Sequence, residues 1–263
     1  MRVSMHHQWL VLWCAALALI GQQGHFSFVP ARADTQAGAS GLRAGSFSDL
    51  TAGDHLPGPW RPLTFKKIPR LTRYRLVGDV VHGREITVVE ARSERSASGL
   101  VRSVNVDPRK YPLLRWHWKV PKALAGSAIA TKSGDDFAAR VYVTFALTDE
   151  ASVWERLRFS VLKALYGEEP PGRALNYVWT VNEPIGTFAP SPYTPRVYII
   201  VAESETGNLN TWIEEERNVY EDYRKAFGHE APRITGVALM TDTDDTQGTA
   251  TAYFGDIWFN SDN

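Results

Sequence analysis

From Trp60 onward, apolar and polar side chains alternate with period two over many short stretches, the mark of strands that bury one face. In Leu114-Arg115-Trp116-His117-Trp118-Lys119-Val120 the apolar residues take the even positions and the basic ones the odd. Successive strand side chains point to opposite faces, so Trp116 and Trp118 share one face and His117 takes the other. The stretch 137–145 repeats the pattern, with Phe137, Val141, Val143 and Phe145 on one side and Arg140, Tyr142 and Thr144 on the other. Further strands are predicted at 85–91, 175–181, 196–202, 234–240 and 249–259.

Two segments carry a helical period instead. Residues 151–166 place Val153, Trp154, Leu157, Val161, Ala164 and Leu165 on one stripe and stop at Gly167, ahead of Pro170-Pro171. Residues 215–227 space Val219, Tyr223 and Phe227 by four and stop at Gly228. Many consecutive strands with two packed helices predict a mainly β fold, an antiparallel β-sandwich of jelly-roll type.

The N-terminus reads differently. Arg2 precedes an apolar run from Trp9 to Ile20, and Ala31-Arg32-Ala33 has the small-x-small pattern of a signal-peptidase site, so residues 1–33 are expected to be a cleaved signal peptide. The run is shorter than the roughly 20 residues a membrane-crossing helix needs, so no membrane span is expected after cleavage. Residues 34–59, rich in Gly, Ala, Ser and Asp, are expected to form a flexible leader, with one domain over 60–263. The expected location is periplasmic or secreted.

The lone cysteine, Cys14, falls inside the apolar run, which excludes a disulfide framework, a thiolate metal site and a cysteine nucleophile from the mature chain. Cleavage also removes Arg2 and Arg32, leaving 27 basic against 29 acidic residues, a balance that argues against a nucleic-acid partner. Dinucleotide, P-loop, nucleophile-elbow and His-Glu-x-x-His motifs are all absent. The four histidines of the mature chain, His55, His82, His117 and His229, are too dispersed along the sequence for metal-ligand spacing.

Candidate chemistry lies in four places. Trp116, Trp118, Tyr177 and Trp179 could stack on sugar rings, or could fill a sandwich core. Asp135, Asp136 and Arg140 could clamp a polar ligand, or simply pair along a strand. Arg217, Asn218, Tyr220 and Asp222 could line a groove, or could support a helix through i,i+4 pairs. Asp242, Asp244 and Asp245 crowd a short loop with the oxygen ligands that calcium prefers, although the EF-hand pattern fails at Thr246 and Gln247; the alternative is a solvated turn. No other cofactor is expected. Acid–base work could fall to Asp135, Asp136, Asp222 or His117.

Several stretches together resemble a bacterial family known as domain of unknown function 3047: 96–100, 111–120, 134–145, 175–179, 216–228 and 240–246, with Ala252-Tyr253-Phe254-Gly255-Asp256-Ile257 closing the domain. The resemblance implies an exported β-sandwich and supplies no catalytic residues. The resulting expectation is a periplasmic module that binds an envelope glycan or another polar polymer. A glycan-active lyase or hydrolase and an envelope assembly partner are the alternatives.

Overall fold

The structure, a computed structural model, describes residues 37–38, 41–65, 68–147 and 172–262. Its strands, in chain order, are β1 (Ala37–Gly38), β2 (Gly41–Gly45), β3 (Arg61–Leu63), β4 (Arg73–Val81), β5 (Arg84–Glu94), β6 (Ala97–Val106) and β7 (Leu113–Lys119). They continue with β8 (Ala139–Phe145), β9 (Arg173–Trp179), β10 (Phe188–Ser191), β11 (Thr194–Glu203), β12 (Ile213–Asn218), β13 (Ile234–Asp242) and β14 (Thr249–Asn260). One α-helix, α1 (Val219–Phe227), stands between β12 and β13.

The strands form two seven-stranded sheets. The second sheet runs β10-β11-β9-β8-β13-β6-β3. The first is organised around β14, which pairs with β7 along one edge and, along the other, with β5 over Thr249–Phe254 and then β2 over Ile257–Phe259. β4 extends the sheet beyond β5, and β12 extends it beyond β7. Pairing is antiparallel except between β9 and β11, which run parallel. The chain is therefore a β-sandwich, with a mixed second sheet where an antiparallel one was expected.

Alternation builds the core. Trp116, Trp118, Phe254, Ile257 and Phe259 of the first sheet meet Val141, Val143, Phe145, Leu175 and Tyr177 of the second in one continuous cluster, all of them fully buried. The central strands of the second sheet are buried on their other face too: Tyr142, Ala238 and Met240 pack beneath Leu63, Phe65 and Ile68, and Phe137 joins Ile129, Val178, Ile199 and Val201. Phe137 thus departs from the predicted stripe with Val141, because β8 begins only at Ala139 and the residues before it are not held to the strand period.

Two sequence expectations change. The domain begins before Trp60, since β2 pairs with β14 and Leu42, Ala44 and Phe47 are buried in the core. The predicted helix over 215–227 starts at Val219; residues 213–218 are strand, in register with β7 from Ile213↔Trp118 to Asn218↔Leu113. Sheet pairing overrides the helical period there, and Asn218 marks the switch by accepting a hydrogen bond from the Glu221 amide (3.0 Å) as the helix N-cap, while Gly228 closes α1 at φ 76°. The predicted helix at 151–166 and the predicted signal peptide lie outside the described residues. Among the described residues, no helix is long and apolar enough to cross a membrane.

Candidate functional site

The aromatic set proposed from the sequence is core. Trp116, Trp118 and Tyr177 have no exposed surface and Trp179 is 2% exposed. Their rings stack on one another between the sheets, Trp116 against Tyr177 at 5.3 Å and Trp118 against Trp179 at 5.5 Å between centroids. With no ring face open to solvent, these four residues form no sugar-stacking platform; the alternation that grouped them is the alternation that buries them.

A polar knot closes the core beneath β12. Glu215 and Arg217 point inward from this edge strand, where Arg217 pairs with Asp222 of α1 (2.7 Å) and Tyr177 Oη donates to the same carboxylate (2.8 Å). The structure therefore brings Tyr177, Arg217 and Asp222 together, while Asn218 serves as helix cap and Tyr220 bonds to Glu230. Arg217 makes its bridge to Asp222 from a strand, so the i,i+4 helix pairing offered as its alternative role does not apply to it.

On the outer side of the second sheet, Arg140 is buried and pairs with two carboxylates, Asp135 (2.9 Å) and Asp242 (2.5 Å). Asp136 takes no part in that clamp: its Oδ2 accepts hydrogen bonds from the Thr246 amide and hydroxyl at 2.5 and 2.7 Å. Of the loop carboxylates, Asp245 accepts from Tyr193 Oη at 2.8 Å, whereas Asp242 and Asp244 lie beside Asp136. Each of these three places a carboxylate oxygen within 4.8 Å of the other two, so the oxygen cluster exists with Asp136 in the place expected for Asp245. Burial, with Asp136 and Asp245 close by, pushes the Asp244 carboxyl up to about 7.

The solvent-facing side of the first sheet is the more unusual surface. His117, on the opposite face from the buried tryptophans, lies 5.3 Å from the Trp258 ring and 5.3 Å from the His82 ring, and its Nε2 lies 3.4 Å from Glu214. Burial holds the His117 imidazole below its usual range, against the opposing pull of Glu214. Next to it, Lys119 pairs with Asp79 and sits over two rings, Tyr253 at 4.6 Å and Trp212 at 5.2 Å. Tyr253 Oη bonds to Glu90 at 3.1 Å. Burial alone would raise Glu90, but hydrogen bonds from Arg75, Arg92 and Tyr253 bring it below the usual carboxylate range.

The sequence reading reached His117 and missed the rest of this face. Tyr253 and Trp258 have opposite parity, yet both point outward, because a bulge between Phe254 and Ile257 resets the phase of β14. His82 arrives through the hairpin turn between β4 and β5, held at φ 48° beside Gly83 at φ 78°. His82, His117 and Glu214 place ligand-capable atoms within 4.8 Å of one another, a set of the kind that holds a zinc-type ion.

Fold and site thus define a β-sandwich with one polar, ring-bearing sheet face open to solvent. The chain belongs to the family described as "Protein of unknown function (DUF3047)", whose model matches residues 58–258. No curated protein sequence matches it. Among solved structures, it is similar to the enzymatically active domain of bacteriophage CBA120 tailspike protein 4, at 8% identity and TM-score 0.42, over 84% of this chain and 21% of that one. It is also similar to the family 30 carbohydrate-binding module of the Clostridium thermocellum cellulosomal cellulase Cel9D-Cel44B, at 10% identity and TM-score 0.35, over 84% and 99% of the two chains. A third similar structure is the β-1,2-glucanase of Parabacteroides distasonis, at 11% identity and TM-score 0.41, over 85% and 26%. The chain spans only about a fifth and a quarter of the tailspike and glucanase chains. These likenesses concern the arrangement of strands and carry nothing about ligand or reaction.

Proposed function

We propose that this protein is an exported module that binds a neutral glycan of the cell envelope along the outer face of the first sheet. The observation that supports this most is the set of partly exposed rings, Trp212, Tyr253 and Trp258, on a sheet face that borders water. A sheet face that only had to be wet would carry polar side chains. Keeping aromatic surface in contact with water instead costs about 25 cal/mol for each Å², which a ligand covering that surface recovers. Sugar rings present apolar C–H faces to stack there and hydroxyls to bond with Asp79 and Lys119, while the buried Glu90 holds Tyr253 in place beneath them.

Charge favours a neutral ligand. Arg75 and Arg92 are paired with Glu90, Lys119 with Asp79, Arg115 with Glu216 and Arg43 with Asp256, so a polyanion would have to displace existing partners. The test is calorimetric titration of the purified protein with neutral and acidic envelope polysaccharides. Saturable binding of a neutral glycan is expected, weakened at least tenfold in Trp258→Ala and Tyr253→Ala with unchanged melting temperature. Absence of binding across the panel, or binding indifferent to both substitutions, overturns the proposal.

A second reading, a glycan-cleaving enzyme on the same face, is favoured by His117, which burial keeps in the neutral form a general base needs, beside Glu214. Turnover of the bound glycan that disappears in His117→Ala while binding persists decides for it.

A further inference from the structure

The acidic cluster at the end of β13 has a feature that a solvated turn would lack. Asp136 has no exposed surface, and its Oδ1 is buried with no hydrogen-bond partner, while Oδ2 holds Thr246. A buried carboxylate oxygen without a partner costs several kcal/mol if it stays ionised, so native structures almost always supply one.

The surroundings deepen that deficit. Asp135, Asp136, Asp242, Asp244 and Asp245 lie in one another's electrostatic field together with the Arg140 guanidinium. Arg140 spends its donors on Asp135, Asp242 and Tyr142. Among the described residues, neither Asp136 nor Asp244 has an ion-pair partner.

Sheet pairing gathers the three carboxylates. β13 runs beside β8 through Met240↔Arg140, and Asp242 then docks on Phe137, whose amide donates to Asp242 Oδ1 at 3.0 Å. The loop after β13 folds back through the Thr246 bonds to Asp136, bringing Asp244 alongside. The resulting set is all oxygen, with neither imidazole nor thiolate, and partly open at Asp244. Such a set suits a hard cation that accepts irregular geometry and completes its shell with carbonyls and water, which describes Ca²⁺ better than the strictly octahedral Mg²⁺.

We propose that Asp136, Asp242 and Asp244 form a calcium site that ties the loop after β13 to the segment leading into β8. Its role is structural, since it lies on the outer side of the second sheet, whereas the proposed glycan face belongs to the first.

The test is thermal unfolding of the purified, EDTA-treated protein with Ca²⁺ or Mg²⁺ added back, together with elemental analysis of the untreated protein. Calcium at a hundred times its Kd is expected to raise Tm by about 5–10 °C. Asp244→Asn is expected to melt like the wild type in EDTA and to lose the calcium shift, and Asp136→Asn to lose it as well. Among the described residues, no other residue donates a hydrogen bond to the Asp244 side chain, so the first variant separates loss of metal from loss of fold. No shift with calcium and no bound metal, a shift with magnesium alone, or a calcium shift that survives in Asp244→Asn each overturns the proposal.

Discussion

The Trp118 indole donates its Nε1 proton to Glu215 Oε1 at 3.2 Å, from the core to the inward face of the edge strand β12. Burial, reinforced by Glu203, raises the Glu215 carboxyl from 4.5 to about 8, with Trp118 and Arg217 opposing. Folded Glu215 therefore holds a proton that the unfolded chain releases near pH 4.5. Stability from this group is full below pH 4.5, declines as pH rises toward 8, and is lost above it. Glu215→Gln should flatten this slope and stabilise the protein above pH 8 by on the order of 1–2 kcal/mol, after discounting for the solvent that reaches a half-buried group. Urea unfolding at pH 5, 7 and 9 measures it; an equal slope in both proteins contradicts the assignment.

Asp222 holds two partners at once, Arg217 at 2.7 Å and Tyr177 Oη at 2.8 Å. Asp222→Ala leaves a guanidinium and a buried phenol without their acceptor and should cost about 3 kcal/mol. Tyr177→Phe removes only one hydroxyl bond and should cost about 1 kcal/mol. Denaturant midpoints of the two variants give the order directly.

Opposite faces of the first sheet should respond differently to the loss of a ring. Trp116→Ala empties a site with no exposed surface and is expected to cost about 3–5 kcal/mol. Trp258→Ala removes a ring that still reaches solvent and should change stability by less than about 1 kcal/mol. Comparable losses in both variants would place Trp258 in the core and remove the main support for the glycan face.

Export is tested by the mass of the protein recovered from the periplasm or medium of producing cells. Cleavage after Ala33 predicts a mature chain that begins at Asp34. An intact N-terminus in the cytoplasmic fraction contradicts it.

Strand positions were most legible where a strand buries one face only and so repeats a two-residue period along its own length. The alternation of Leu114, Trp116 and Trp118 marks both β7 and its buried face. Legibility failed where the period breaks or where distant pairing overrides it. The bulge in β14 hides that Tyr253 and Trp258 share a face, and pairing with β7 turns residues 215–218 from helix to strand. The leader-like composition before Trp60 concealed β2, whose few apolar side chains find their places only against strands much later in the chain.

By itself, the sequence determined the β-sandwich class, the family and which segments alternate, because those properties reside in local periodicity and composition. Only the tertiary structure decided which residues meet. It put Asp136 beside Asp242 and Asp244, His82 beside His117 and Glu214, and Tyr177 beside Asp222. Such meetings depend on strand register, turn geometry and the order of strands in a sheet, and no stretch of adjacent residues encodes those alone.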